Sequence, residues 1–202
     1  MKISKIVASV ALAVASVAAS AATSAVSVDA TYLTTNKLTL AGTGGSTYTT
    51  GSLVIPVTTA TQLLIDFVDA AGFSVKTSGL LSGTATFSNL TIDVATGTVF
   101  GDMIGSGLLA GLAYTGGQDL LTGTVSGLGT STLTFSNFAV SSGFGAFLTD
   151  AGASPSAVPV GSIVKSITVS GVAVPAVPEP STYAMLLLGL GGIAVAARRK
   201  QA

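Results

Sequence analysis

Ser78-Gly-Leu-Leu-Ser-Gly-Thr-Ala-Thr-Phe-Ser-Asn-Leu-Thr-Ile92 returns 48 residues later as Ser126-Gly-Leu-Gly-Thr-Ser-Thr-Leu-Thr-Phe-Ser-Asn-Phe-Ala-Val140, with eight of the 15 positions identical. In each copy Thr or Ser alternates with an apolar residue, the period-2 pattern of a half-buried strand. The parity then slips: Ala85 and Phe87 give way to Leu90 and Ile92, and Leu133 and Phe135 to Phe138 and Val140. Because successive side chains of a strand face opposite ways, that jump predicts a bulge or sheet corner at Ser88-Asn89 and at Ser136-Asn137. Ser166-Ile-Thr-Val-Ser-Gly-Val-Ala-Val174 is a weaker third copy, and the 48-residue register runs on to match Gly97 with Gly145 and Asp102 with Asp150.

Other predicted strands cover Lys37–Ala41, Ser52–Val57, Leu63–Val68, Thr98–Met103 and Thr122–Val125, separated by Gly42–Ser46, Thr115–Gly117 and Ser141–Gly143. Thr61–Gly72 also fits a helix through Leu64, Phe67, Val68 and Ala71. Short strands with regular punctuation predict an all-β domain, an antiparallel β-sandwich of jelly-roll type. Two copies of a 48-residue unit are too few for a solenoid.

That domain occupies residues 22–176, between two terminal segments of different composition. Residues 1–21 place Lys2 and Lys5 before an Ala/Ser/Val run that ends in Ala19-Ser20-Ala21, which predicts a helical secretory signal peptide cut after Ala21 or Ala22. At the other end, Val177, Pro178, Glu179 and Pro180 lead through Ser181 and Thr182 into the apolar run Tyr183–Ala197, with Leu186, Leu187, Leu188, Leu190, Ile193 and Val195. Two prolines around a carboxylate hold the backbone extended, a good shape for a processing enzyme's groove. As a helix the 15-residue run is about 22 Å long, short for a ~30 Å hydrocarbon core, so it predicts a transmembrane helix that must recruit its flanks. Arg198, Arg199 and Lys200 follow it and predict a cytoplasmic stop.

This three-part tail resembles the PEP-CTERM sorting signal. The resemblance covers about 26 residues. It implies an exosortase partner, a membrane-embedded processing enzyme with a cysteine nucleophile that removes the tail on the way to the cell surface or extracellular matrix. It also implies a transient membrane stage, an association with exopolysaccharide or biofilm, and a Ser/Thr-rich, Cys-free chain. The same tail is sometimes called an ice-binding protein C-terminal domain, a label that carries no evidence of ice binding.

Composition narrows the chemistry of residues 22–176. The chain has no Cys and no His, which excludes a catalytic triad, a thiol nucleophile, a disulfide framework and an ordinary zinc or haem site. Three lysines against seven aspartates leave the domain mildly acidic, unsuited to nucleic acid. Asp66 and Asp69 are the closest carboxylate pair for an Asp-based hydrolase, but on a strand they lie on opposite faces. Asp93, Asp102, Asp119 and Asp150 could supply calcium, although the dense calcium-loop spacing is absent. Gly42–Thr47 lacks the Gly-Lys-Ser/Thr ending of a phosphate cradle, and Asn89-Leu-Thr91 fits a glycosylation acceptor but reads better as a turn. Thr84/Thr86, Thr122/Thr124 and Thr132/Thr134 are what an ice-binding face would use, and Tyr32, Tyr48 and Tyr114 what a carbohydrate module would use. The expectation is a non-enzymatic exported surface or matrix protein without cofactor or metal; the alternatives are a carbohydrate-, calcium- or ice-binding module, then a hydrolase.

Overall fold

The computed structural model describes residues 22–77 and 82–174. The predicted signal peptide with Ala19 and Ala21, the motif Val177–Pro180, the apolar run from Tyr183 and the basic cluster from Arg198 lie outside the described residues. Among the described residues no helix is long and apolar enough to cross a membrane.

Twelve strands make the domain: β1 (Thr23–Val28), β2 (Leu38–Thr43), β3 (Thr47–Thr49), β4 (Ser52–Val54), β5 (Val57–Ala60), β6 (Leu64–Phe67), β7 (Gly72–Thr77), β8 (Gly83–Asp93), β9 (Thr98–Gly107), β10 (Ala113–Ser126), β11 (Thr132–Val140) and β12 (Val164–Ser170). All named strand pairs are antiparallel, as the all-β reading expected, but the strands join into one sheet in the order β2-β7-β8-β9-β10-β11-β12-β1-β4-β3. The ends of that path, β2 and β3, are consecutive in the chain and joined by a tight turn in which Ser46 N–H donates to Thr43 O (3.0 Å). The sheet therefore curls until its ends nearly meet, giving a near-barrel where the sequence predicted two stacked sheets of a jelly-roll sandwich.

The predicted bulges explain the curvature. Asn89 and Asn137 both sit at positive φ, 51° and 55°, and the pairing shifts register between Ser88 and Thr91 on β8 and beside Asn137 where β11 meets β10. Burial changes parity there as expected: Phe87 is buried, then Leu90 and Ile92, and Leu133 and Phe135 are buried, then Phe138. On β12, Ile167 and Val169 give way to Val172 across Gly171. At the β8 bulge the neighbour also changes: residues 84–87 pair with β7, and residues 91–93 with β6. One strand can thus turn a corner between two partners without the sheet being cut in two.

Three local readings are corrected. Residues 61–72 contain strand β6, not a helix, because Ile65 and Phe67 alternate inward with Leu64 and Asp66 outward and β8 supplies the ladder. Ser52–Val57 is two strands, since Pro56 has no N–H to donate and breaks the run. The 48-residue equivalence ends with the strands, for Gly97 and Asp102 belong to the β8–β9 turn and β9, whereas Gly145 and Asp150 fall in a helix. At Gly97 φ is +68°, and a Cβ would meet the Gly123 carbonyl oxygen at 2.2 Å, so a glycine is required where the turn crosses β10.

Three α-helices complete the fold: α1 (Ala30–Thr35), α2 (Ser142–Asp150) and α3 (Val160–Ile163). α1 follows the end of β1, α2 the end of β11, and α3 precedes β12. The pairs Val28↔Val164 and Ser136↔Ser166 bring those strand ends together, so all three helices cap one end of the barrel. Thr23↔Ser170 places the opposite ends of β1 and β12 side by side at the other.

Candidate functional site

The inward-facing alternate residues of this curled sheet leave a gap at its centre, an apolar cavity of about 420 Å³. Val26, Leu40, Phe73, Phe87 and Ile167 line it from the sheet, and Leu33, Phe147 and Val160 from the three cap helices. Of the described lining residues only Thr77 carries a polar side-chain atom, and its Oγ1 is held by Gly83, accepting from the amide at 3.1 Å and donating to the carbonyl at 3.3 Å. Phe73 stacks on Phe87 (centroids 4.7 Å apart), which meets Phe144 of α2 edge-on at 5.6 Å. At about 24 cal/mol per Å³, an empty void of this size would cost about 10 kcal/mol, comparable to the whole stability of an ordinary domain. The cavity has no signature in the residue pattern, because the same alternation describes a filled interior and a hollow one.

Across β10, β11, β12 and β1 the outward residues form ladders. Thr124, Ser136, Ser166 and Ser27 stand opposite one another in one row, and Ser126, Thr134, Thr168 and Ala25 in the next. Strand spacing sets the rungs ~4.8 Å apart, and two residues along a strand set the rows ~6.7 Å apart. Thr124 and Thr134, two of the predicted threonines, belong to this face. Thr84 and Thr86 lie on β8, where Lys76 and Ile104 interrupt the rows.

The aspartates are distributed over the structure as fasteners. Asp119 reaches from β10 to the start of α2, accepting from the Ser142 hydroxyl (2.6 Å), the Gly143 amide (2.7 Å) and the Ser142 amide (3.1 Å). It does from another strand what Ser141, the residue before the helix, does not do with its own side chain. The Ser142 hydroxyl foremost, with the Gly143 and Ser142 amides, holds the Asp119 carboxyl below the usual carboxylate range against the opposing effect of burial. Asp102 accepts from Asn89 Nδ2 (2.6 Å) and from the amides of Gly116 (2.8 Å) and Gly117 (3.2 Å), inside the predicted turn cluster that proves to be a kink in β10. Burial pushes the Asp102 carboxyl up, and these three donors outweigh it, so it too lies low.

Asp29 caps α1 through the Tyr32 amide (2.9 Å) and meets Lys165 at 3.5 Å. Its carboxyl is lowered, mainly by that amide. Asp93 closes its turn through the Ala95 and Thr96 amides. Asp150 accepts from the Tyr114 hydroxyl and pushes the phenol up. Asp66 faces outward on β6 and Asp69 lies exposed in the following turn, so no facing carboxylate pair is assembled there. Among the described residues no group of three or more acidic side chains is placed to hold a metal ion.

A family model for the PEP-CTERM protein-sorting motif matches residues 176–200. No curated protein matches the chain. The tail is thus a PEP-CTERM sorting motif, and it implies an exported protein whose precursor is membrane-anchored and processed by an exosortase.

Proposed function

We propose that the protein is a non-enzymatic component of the cell surface or extracellular matrix, delivered by its sorting tail and held among hydrated polysaccharide. The observation that carries this reading is the motif match at residues 176–200, which commits the chain to export. Two features of the domain support the rest. Four of its seven aspartates, Asp29, Asp93, Asp102 and Asp119, are spent on caps, turns and the α2 latch, an arrangement suited to holding a fold. The hydroxyl ladders on β10, β11, β12 and β1 present rows of donors and acceptors without charged side chains among them, which matches the chemistry of a neutral polysaccharide.

The intact mass of the protein, recovered separately from the membranes and from the extracellular fraction of producing cells, tests the reading. An extracellular form lacking Met1–Ala21 and the residues beyond about Pro180, retained by the cells' own exopolysaccharide, is expected. A protein found only in the membrane fraction with Arg198–Ala202 intact refutes delivery to the surface, and turnover of an envelope polysaccharide that is lost on Asp66→Asn or Asp69→Asn refutes the non-enzymatic role.

A further inference from the structure

We propose that the interior cavity is a binding site for one aliphatic chain of about 14–17 carbons, entering from the helix-capped end. The lining chooses the chemistry. A sugar or a peptide would bury hydroxyls or amides against side chains that offer no partner, Thr77 being already engaged by Gly83. Water is excluded for the same reason, since apolar cavities stay dry.

The volume chooses the size. At roughly 25–30 Å³ per close-packed methylene, the 420 Å³ cavity takes a single chain of the stated length. A diacyl lipid could insert only one of its two chains. The protein's own apolar run Tyr183–Ala197 is excluded, because a helix of ~10 Å diameter and about 22 Å length is several times too large. A flexible chain also conforms to a lining assembled from strands and three helices, where a rigid polycycle would leave gaps.

Exposure chooses the route. Of the described lining residues only Thr77 and Ala153 are themselves exposed, and Thr77 ends β7 while Ala153 follows α2, so both belong to the capped end. Among the described residues no charged side chain lines the cavity, so an ionised head group stays in water at this mouth. The strand ends that lead to the two chain termini, Thr23 and Ser170, are at the other end, clear of the mouth.

The test uses the full-length chain in phosphatidylcholine vesicles, with palmitic acid carrying a diazirine at its chain end in one arm and a phosphatidylcholine carrying the same chain in the other. Adducts are mapped by peptide mass spectrometry after illumination. Labelling of cavity-lining residues such as Phe87, Phe147 and Ile167 is expected, from the free acid if it is the source and from the phospholipid if a membrane lipid lends its chain. Tetradecanoic and hexadecanoic acids should suppress that labelling at least tenfold better than octanoic acid. Ala85→Phe or Ala151→Phe, which fill the cavity from the sheet and from the end of α2, should reduce it at least tenfold, while the outward-facing Ser74→Ala leaves it unchanged. Adducts confined to residues outside the lining, equal protection by octanoic acid or by cholesterol, or undiminished labelling in filled variants that still melt cooperatively would each overturn the proposal. Should both filled variants fail to fold, the chain-length series decides it alone.

Discussion

Replacing Asn89 in turn by glycine and by alanine separates two contributions of the β8 bulge. Asn89 holds φ at 51°, donates to Asp102 (2.6 Å) and accepts from the Ala70 amide (3.1 Å), so one side chain ties the β6–β7 turn and β9 to the corner. Glycine keeps the backbone conformation and loses both bonds; at the low end of ~0.5–1.5 kcal/mol each, for groups at the surface, that is about 1 kcal/mol. Alanine loses the same bonds and also meets the left-handed penalty of ~1–2 kcal/mol, from which glycine's extra unfolded-state freedom, ~0.4–1 kcal/mol, must be subtracted. Alanine should therefore be less stable than glycine by about 1 kcal/mol, or ~2–4 °C in melting temperature for a domain of this size. Asn137 makes one such bond, to Thr124 Oγ1 (3.0 Å), so Asn137→Gly should cost less than Asn89→Gly, with the same glycine-to-alanine gap. Urea denaturation followed by near-UV circular dichroism of the tyrosines measures all four. If alanine proves as stable as glycine at both positions, the left-handed corners do not hold the curvature and the explanation of the near-barrel fails.

Removing the latch on α2 by Asp119→Ala should cost about 1–2 kcal/mol, the usual cost of a lost N-terminal cap, read by the same denaturation. The lowered carboxyls of Asp119 and Asp102 contribute stability that is complete above the unfolded carboxylate range near pH 4 and is lost as pH falls through their folded values. Melting temperature should thus drop steeply below about pH 4, and less steeply in Asp119→Asn. Tyr114 has the opposite sign: its phenol is raised, so its contribution is present below about pH 10 and fades as pH climbs through the folded value. Tyr114→Phe should flatten the alkaline limb of the melting profile, and an unchanged limb would count against the Tyr114–Asp150 contact.

The strands and corners were legible because they are local. Alternation gave the inward set, and the parity slips at Asn89 and Asn137 marked both bulges before any long-range contact was known. The closure was not legible, since a strand that bends can pass to a second sheet or continue around a barrel, and the choice depends on β1 meeting β12 across the whole domain. α2 was missed for a physical reason: Ser141-Ser-Gly143 reads as a turn, and the residue that caps the helix, Asp119, is more than 20 positions away. The sorting motif was legible, because a processing signal must be read as a linear segment. The cavity lies at the other extreme, a property of volume that no residue pattern encodes.

The adjacency of β1 and β12 bears on the timing of export. The first strand of the domain has no partner from β12 until residue 164 has emerged, and its ladder is complete only at residue 170, so the barrel cannot close until nearly the whole domain has been exported. Closure also leaves little slack. Ala173 N–H is pinned to Ala60 O (2.9 Å), and the stretch matched by the sorting-motif model begins only three residues later, at 176. The last ordered contact of the domain and the first residue of its sorting motif are thus near neighbours in the chain, so closing the barrel and processing the tail act on adjoining stretches.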